Sequence, residues 1–252
     1  ACAESQQARI PALLEQLGAP DYTVWNEAVR CLGACGADVI APLVEEMRAR
    51  AHDPEYCTRA GMTLKSLGPR RGRALADALD GVTEPLPLQV LVDVVGALGE
   101  KSLIYRLKGL IERISEEAAR AGEVDGFDPL RRVRAKAHLE LARIGSRVAI
   151  RDLRDGLADG KHRVELEMLA AVELIGKREE LTLLLAAYGR EDGFVRDRIA
   201  LVIRAIMKRE RIRRNNRLFQ TLGARQRAAL ERILPRHRVR PARARPAVSP
   251  RA

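Results

Sequence analysis

The chain has 252 residues, 46% of them hydrophobic and only 3% aromatic, with a formal net charge of +11. That length allows one large domain or two small ones with a real core, and an apolar set dominated by Ala, Leu, Val and Ile suits helix-on-helix packing. The four cysteines, Cys2, Cys31, Cys35 and Cys57, sit in the first quarter of the chain, which argues against a disulfide framework; the apolar run at residues 181–188 is too short to span a bilayer.

Residues 1–7 (ACAESQQ) carry no apolar signal core, so the expected compartment is the cytoplasm. Downstream, six segments end alike. CLGACG closes on Gly36, TLKSLG on Gly68, VVGALG on Gly99, ELARIG on Gly145 and VELIG on Gly176, while RIALVIRAIM puts Met207 in the same place. The spacings between these anchors are 32, 31, 46, 31 and 31 residues. Four residues before each anchor stand Leu32, Leu64, Val95, Leu141, Val172 and Ile203. Eight before stand Ala28, Ala60, Leu91, Ala137, Met168 and Ile199, and one before stand Cys35, Leu67, Leu98, Ile144, Ile175 and Ile206. These offsets put all three columns on one helical stripe, and the glycine suits a left-handed C-cap. A second helix fits after each anchor, as in VIAPLVEEMRA, RALADALD, VAIRDLRDGLA and ELTLLLAAYG. Each repeat is thus a helical hairpin of about 31 residues. Neither helix buries its stripe alone, so neighbouring hairpins must stack.

The expected fold is all-α: an α-solenoid, or superhelix, of six to seven hairpins over residues 1–234. The pattern resembles the HEAT-repeat family, in the short form also found in phycobilisome-lyase-like proteins. The resemblance rests on an acidic turn, a following Val and Arg, then Ala and a terminal Ile-Gly. These appear as Asp128-Pro129, Val133-Arg134, Ala137 and Ile144-Gly145. Asp159-Gly160 with Val164 and Ile175-Gly176, and Asp192-Gly193 with Val195-Arg196, are similar. Tyr56 and Pro87 stand where repeats two and three should have the Val. The resemblance implies hairpins stacked as a right-handed superhelix and leaves the function open. The 46-residue spacing predicts an insertion at about residues 115–129: a lengthened helix, then an exposed loop around 122–128. Residues 213–222 and 225–234 read as a last, polar hairpin. The Pro- and Arg-rich text of residues 235–252 has little to bury and reads as an extended or disordered basic tail.

No phosphate-binding glycine loop, GxSxG elbow or HExxH motif occurs, so no catalytic residue, metal or cofactor is expected. His52, His138, His162 and His237 fall in different repeats, and His138 adjoins a core column and reads as a packed residue. The pairs Glu45-Glu46, Glu116-Glu117 and Glu179-Glu180 read as solvated helix faces. Two basic sets are candidates for binding an anion or a partner. One is a ladder at the start of the stripe helices of repeats four to six: Arg132 and Arg163, Arg134 and Arg196, Lys136 and Arg198. Arg forks suit phosphate or carboxylate. Pairing with the turn acids Asp128, Asp159 and Asp192 is the favoured reading of this ladder, because Glu165 and Glu167 interleave with it. The other set is Lys208, Arg209, Arg211, Arg213, Arg214 and Arg217, next to Asn215 and Asn216. Residues 208–251 carry 15 Lys and Arg against two acids, whereas residues 1–207 are net −2. Such clusters bind phosphates through counterion release, with only Phe219 nearby to stack on a base.

These features fit a non-catalytic scaffold whose partner is another protein. The alternative is a nucleic-acid-binding solenoid whose basic C-terminal end takes nucleic acid or an acidic protein. Within that class, DNA glycosylases acting on alkylated bases include HEAT-like solenoids with aromatic residues and a carboxylate in the concave site. Here Trp25 lies in the first repeat, far from the basic end, which departs from that pattern. A lyase-type or chaperone-type helper for a pigment protein rests on the short repeat form alone.

Overall fold

The computed structural model describes residues 8–121 and 128–234. Among them the chain is helical and contains no strand. In chain order the helices are α1 (Ile10–Leu17), α2 (Tyr22–Ala34), α3 (Ile40–Ala49), α4 (Pro54–Ser66), α5 (Gly72–Gly81), α6 (Pro85–Leu98) and α7 (Ile104–Ala121). After the insertion come α8 (Pro129–Arg143), α9 (Ile150–Ala158), α10 (Leu166–Ile175), α11 (Leu181–Arg190), α12 (Gly193–Arg209) and α13 (Ala224–Ile233). The acidic turns start several of them. Asp53 accepts from the Tyr56 amide and Asp128 from the Leu130 amide, each at 2.9 Å and each just ahead of a proline at the first helical position. An otherwise unpaired amide is thereby satisfied, and the proline gives up none that the helix needs.

Each even-numbered helix packs on the odd-numbered one before it and on its even-numbered neighbours, making a row from α2 to α12. The odd-numbered helices form a second row, broken between α7 and α9, which make no substantial contact. The even helices run parallel. Arg131 at the start of α8 donates to the Arg163 carbonyl ahead of α10 at 2.5 Å, and Arg147 beyond the end of α8 donates to the Ile175 carbonyl that ends α10.

The columns four and eight residues before the anchors are buried in every repeat. The column one residue before is half-buried except at Ile206, because it lies at the helix end where the stack opens to solvent. The core divides in two at α8, with Val133, Ala137 and Leu141 packing into the N-terminal cluster and Ala135 and Ala142 into the C-terminal one. In repeat two, Tyr56 at the Val position is fully buried, and its hydroxyl donates to the Leu14 carbonyl at 3.4 Å. The ring therefore fills a site that Val would leave partly empty.

Three expectations are corrected. Gly36, Gly68, Gly99 and Gly145 are left-handed as expected, but Gly176 is extended, with φ −63° and ψ 146°. Glycine is needed there for space, since a Cβ would lie 2.4 Å from the Val172 carbonyl oxygen. Met207 is not a terminal position: α12 continues to Arg209, and the left-handed residue after it is Arg211, φ 53°. Ile212 N bonds the Met207 carbonyl at 2.8 Å, the closure that a glycine usually makes. Finally, residues 213–222 form no helix beyond the short 3-10 turn Arg217–Phe219, so α13 stands alone after six helix pairs. Arg213, Arg214 and Arg217 repel one another there, and Asn216 turns its side chain onto the Leu218 amide at 3.0 Å instead of leaving a helix intact.

The lengthened helix of the insertion is present as α7; the remainder of the insertion, at 122–127, and the basic tail lie outside the described residues. No helix among the described residues is long and apolar enough to cross a membrane.

Candidate functional site

The ladder residues do not line one face. Arg132 and Arg163, thirteen positions before their anchors, are exposed, whereas Arg134 and Arg196 turn aside into the stack. Arg134 Nε lies 2.8 Å from Asp152 on α9, and Arg196 Nε donates to the Glu191 carbonyl at 2.6 Å beside the Tyr188 ring. The others are ion-paired: Arg132 with Glu167 at 3.6 Å, Arg163 with Asp192 and Glu191, Lys136 with Asp93 at 2.5 Å and Arg198 with Glu173. Arg163 thus finds a turn acid of the next repeat, and Arg131 likewise reaches Asp159 at 3.8 Å.

The second set divides differently. Arg209 donates to the Glu173 carbonyl at 2.5 Å and to the Gly176 carbonyl; Arg214 bonds the Leu234 carbonyl at 2.9 Å and Glu231 at 3.1 Å. Both close helix ends. Lys208, Arg211, Arg213 and Arg217 are exposed, and their side chains have no hydrogen-bond or ion-pair partner among the described residues.

Several polar groups are buried that sequence reasoning missed or placed in solvent. Glu180, expected on a solvated face, is fully buried; it takes Arg154 at 2.6 Å, Arg147 at 3.3 Å and its own turn's Lys177 amide at 2.6 Å. Its partners lie 26 and 33 residues away in sequence, so no local pattern announces them. His138 is buried as expected, and its Nε2 lies 2.7 Å from Asp152 Oδ1. Burial pushes the His138 pKa below its ordinary value, against the pull of Asp152. Burial alone would raise Asp152, but bonds from His138, Arg134 and Ser115 outweigh it and hold the carboxyl well below the usual range. Ser115 donates its hydroxyl to Asp152 at 2.7 Å and not to His138, so the trio lacks the hydroxyl–imidazole pair of a nucleophile. Glu140 packs over Gly96 with Oε2 unpartnered, and burial raises its pKa despite the Arg143 ion pair. No group of three or more His, Cys, Asp or Glu is placed to hold a metal among the described residues.

The apolar surface is more orderly. Among the described residues the exposed large apolar side chains lie on the even row: Tyr22 and Val24 on α2, Met62 on α4, Leu166 and Leu174 on α10, Phe194 and Leu201 on α12. Tyr105 on α7 is the exception. In repeats five and six they fall two, six, ten and thirteen residues before the anchor, positions that share one helix face. That face was legible in the sequence as the complement of the buried columns. At its N-terminal end a groove of about 510 Å³ runs past Arg132, Arg163 and Leu166. A neighbouring groove of about 340 Å³ also has Arg163 and Leu166 in its wall and continues to Phe194, which is 70% exposed. Trp25 is half-buried, with the Arg59 guanidinium 4.9 Å above its ring and Tyr22 against its edge. No protein-family model matches the chain, and no curated protein matches it in sequence.

Proposed function

We propose that the chain is a HEAT-type α-solenoid that serves as a non-catalytic scaffold and binds another protein along the exposed face of α8, α10 and α12. The observation that carries this reading is the concentration of exposed large apolar side chains on the even row, with Leu166 and Phe194 in continuous grooves rimmed by Arg132 and Arg163. An apolar centre with an Arg-containing polar rim is the usual anatomy of a protein interface. A photo-reactive residue at position 194 should form a protein adduct that survives nuclease, and one at Tyr105 should not. Phe194→Glu with Leu201→Glu should abolish the adduct made from a probe at Leu166 and leave the melting temperature unchanged, since both side chains are exposed. Equal labelling at 194 and 105, or no adduct at 194, rejects the reading. The unpartnered Lys208, Arg211, Arg213 and Arg217 favour a second reading, anion binding at the C-terminal end.

A further inference from the structure

The unpartnered cations are not confined to the C-terminal end. Arg70 and Arg71 lie in the turn after α4, with Arg73 opening α5; Lys101 lies in the turn after α6. Arg151 opens α9, Lys177 and Arg178 follow α10, and the series runs into the exposed C-terminal group described above and on to Arg225 at the start of α13. None of these has a carboxylate in ion-pair reach among the described residues. All occupy the same edge, where even helices end and odd helices begin. On the opposite edge and along the helix bodies the cations are mostly spent. Arg48 binds Glu45 and Glu84, Arg106 binds Asp77 and Asp80, and Arg113 and Arg190 cap helix ends at Leu79 and Leu157.

The edge is joined in two stretches, which the packing of α6 on α8 brings together. Arg71 lies against Gly36 and the Glu100 carboxylate against Gly72; Arg147 joins the turn after α8 to that after α10, and Arg209 joins α12 to α10. Acids on it are fewer: Asp38, Glu100, Glu179 and Glu210. Helix stability accounts for cations that follow the even helices but not for those that open the odd ones. Arg73, Arg151 and Arg225 stand in first turns, where the helix dipole disfavours positive charge.

We propose that this edge binds the phosphate backbone of a nucleic-acid duplex. Helices packed about 10 Å apart make the five turns after α4 to α12 a ridge of about 40 Å, and a duplex presents a phosphate charge every 1.7 Å or so along its axis. The cations are mainly Arg, whose fork suits phosphate. Tyr105, in the first turn of α7, is the one exposed aromatic on this edge among the described residues, too few for the stacking platform that single strands need. This surface is separate from the apolar face assigned to a protein partner, and either can fail alone.

The test is binding of a fluorescent 25-base-pair DNA duplex to the full chain across a salt series. Arg70, Arg73, Lys101, Arg151 and Lys177 are replaced together by Gln, with the C-terminal cluster and tail left intact. Affinity at low salt should fall by at least about tenfold, and the slope of log K against log salt should become shallower by about four, close to one unit for each phosphate no longer neutralised. Replacing Arg30, Arg106 and Arg120 by Gln should change neither. In the parent, duplex should protect Lys101, Lys177 and Lys208 from acetylation and leave Lys108 reactive, a readout that needs no variant. Parent-like binding by the five-site variant overturns the proposal. So does tighter binding of single strands than of duplex. Competition by polyglutamate at lower charge concentration than duplex, or capture by phosphatidylserine vesicles without duplex binding, would assign the edge to an acidic protein or a membrane surface instead.

Discussion

At the residue scale, Arg211 and Asp152 show how local chemistry departs from the repeat pattern. Arg211 holds a left-handed φ of 53° where four repeats have glycine. Relieving that strain is worth about 1–2 kcal/mol, and the added freedom of an unfolded glycine takes back about 0.5–1. Arg211→Gly should therefore raise stability in urea by about 0.5–1 kcal/mol. A stabilised variant that loses duplex affinity would mark a residue kept for its charge. Asp152 has a folded pKa below its unfolded value, so its contribution is present above the ordinary carboxylate range near pH 4 and is lost as pH falls through the folded value. Asp152→Asn should cost about 1.5–3 kcal/mol at neutral pH, because His138, Arg134 and Ser115 lose a charged, half-buried acceptor, and it should flatten the decline in stability below pH 4. An unchanged acid limb in urea titrations would remove Asp152 from that role. These groups were not legible in the sequence, since Ser115, Arg134, His138 and Asp152 sit at unrelated spacings and converge only when α7, α8 and α9 pack.

At the element scale, periodicity was the strongest signal, and it read best where burial is two-sided. The columns four and eight residues before each anchor are fully inside, because the paired odd helix and the adjacent even helices cover them. The helices were also readable from their Asp-Pro starts. The last segment misled because Ile212, Leu218 and Leu222 resemble a helical stripe, whereas the arginines among them and the Asn216 cap prevent the turn from propagating. The basic ladder misled in part because equal spacing from an anchor does not mean equal direction: offset eleven faces the neighbouring row, and offset thirteen faces solvent. α8 is the critical element, since both halves of the core use it. Leu141→Ala should cost about 2–5 kcal/mol. Hydrogen exchange should then rise first in α6 and α8, with α11 and α12 less affected, as expected when each repeat touches only its neighbours. Uniform loss of protection across the chain would contradict the division into two clusters.

At the scale of the whole molecule, much of the arginine content is structural in a way that composition concealed. Arg59 donates to the Leu17 carbonyl at 3.1 Å and the Ala19 carbonyl at 2.8 Å, and Arg113 to those of Leu79 and Asp80 at 2.9 Å. Arg147, Arg204 and Arg209 close further helix ends in the same way. A guanidinium reaches several carbonyls from the next repeat, which a lysine ammonium does less well. The net charge of the body was therefore a poor guide to its surface. What counts is which cations remain after the carbonyls and carboxylates are served, and most of that remainder lies on one edge.

The gap between α7 and α9 gives the molecule a soft joint. Every other neighbouring pair in the odd row is packed side by side, whereas here the Ser115 hydroxyl on Asp152 is a single latch between two helices that otherwise stand apart. The even row is continuous through the same point, so α8 acts as the leaf of a hinge. An opening on the odd side would curl the even face inward. A bend there would load α8, the one helix that both core clusters share.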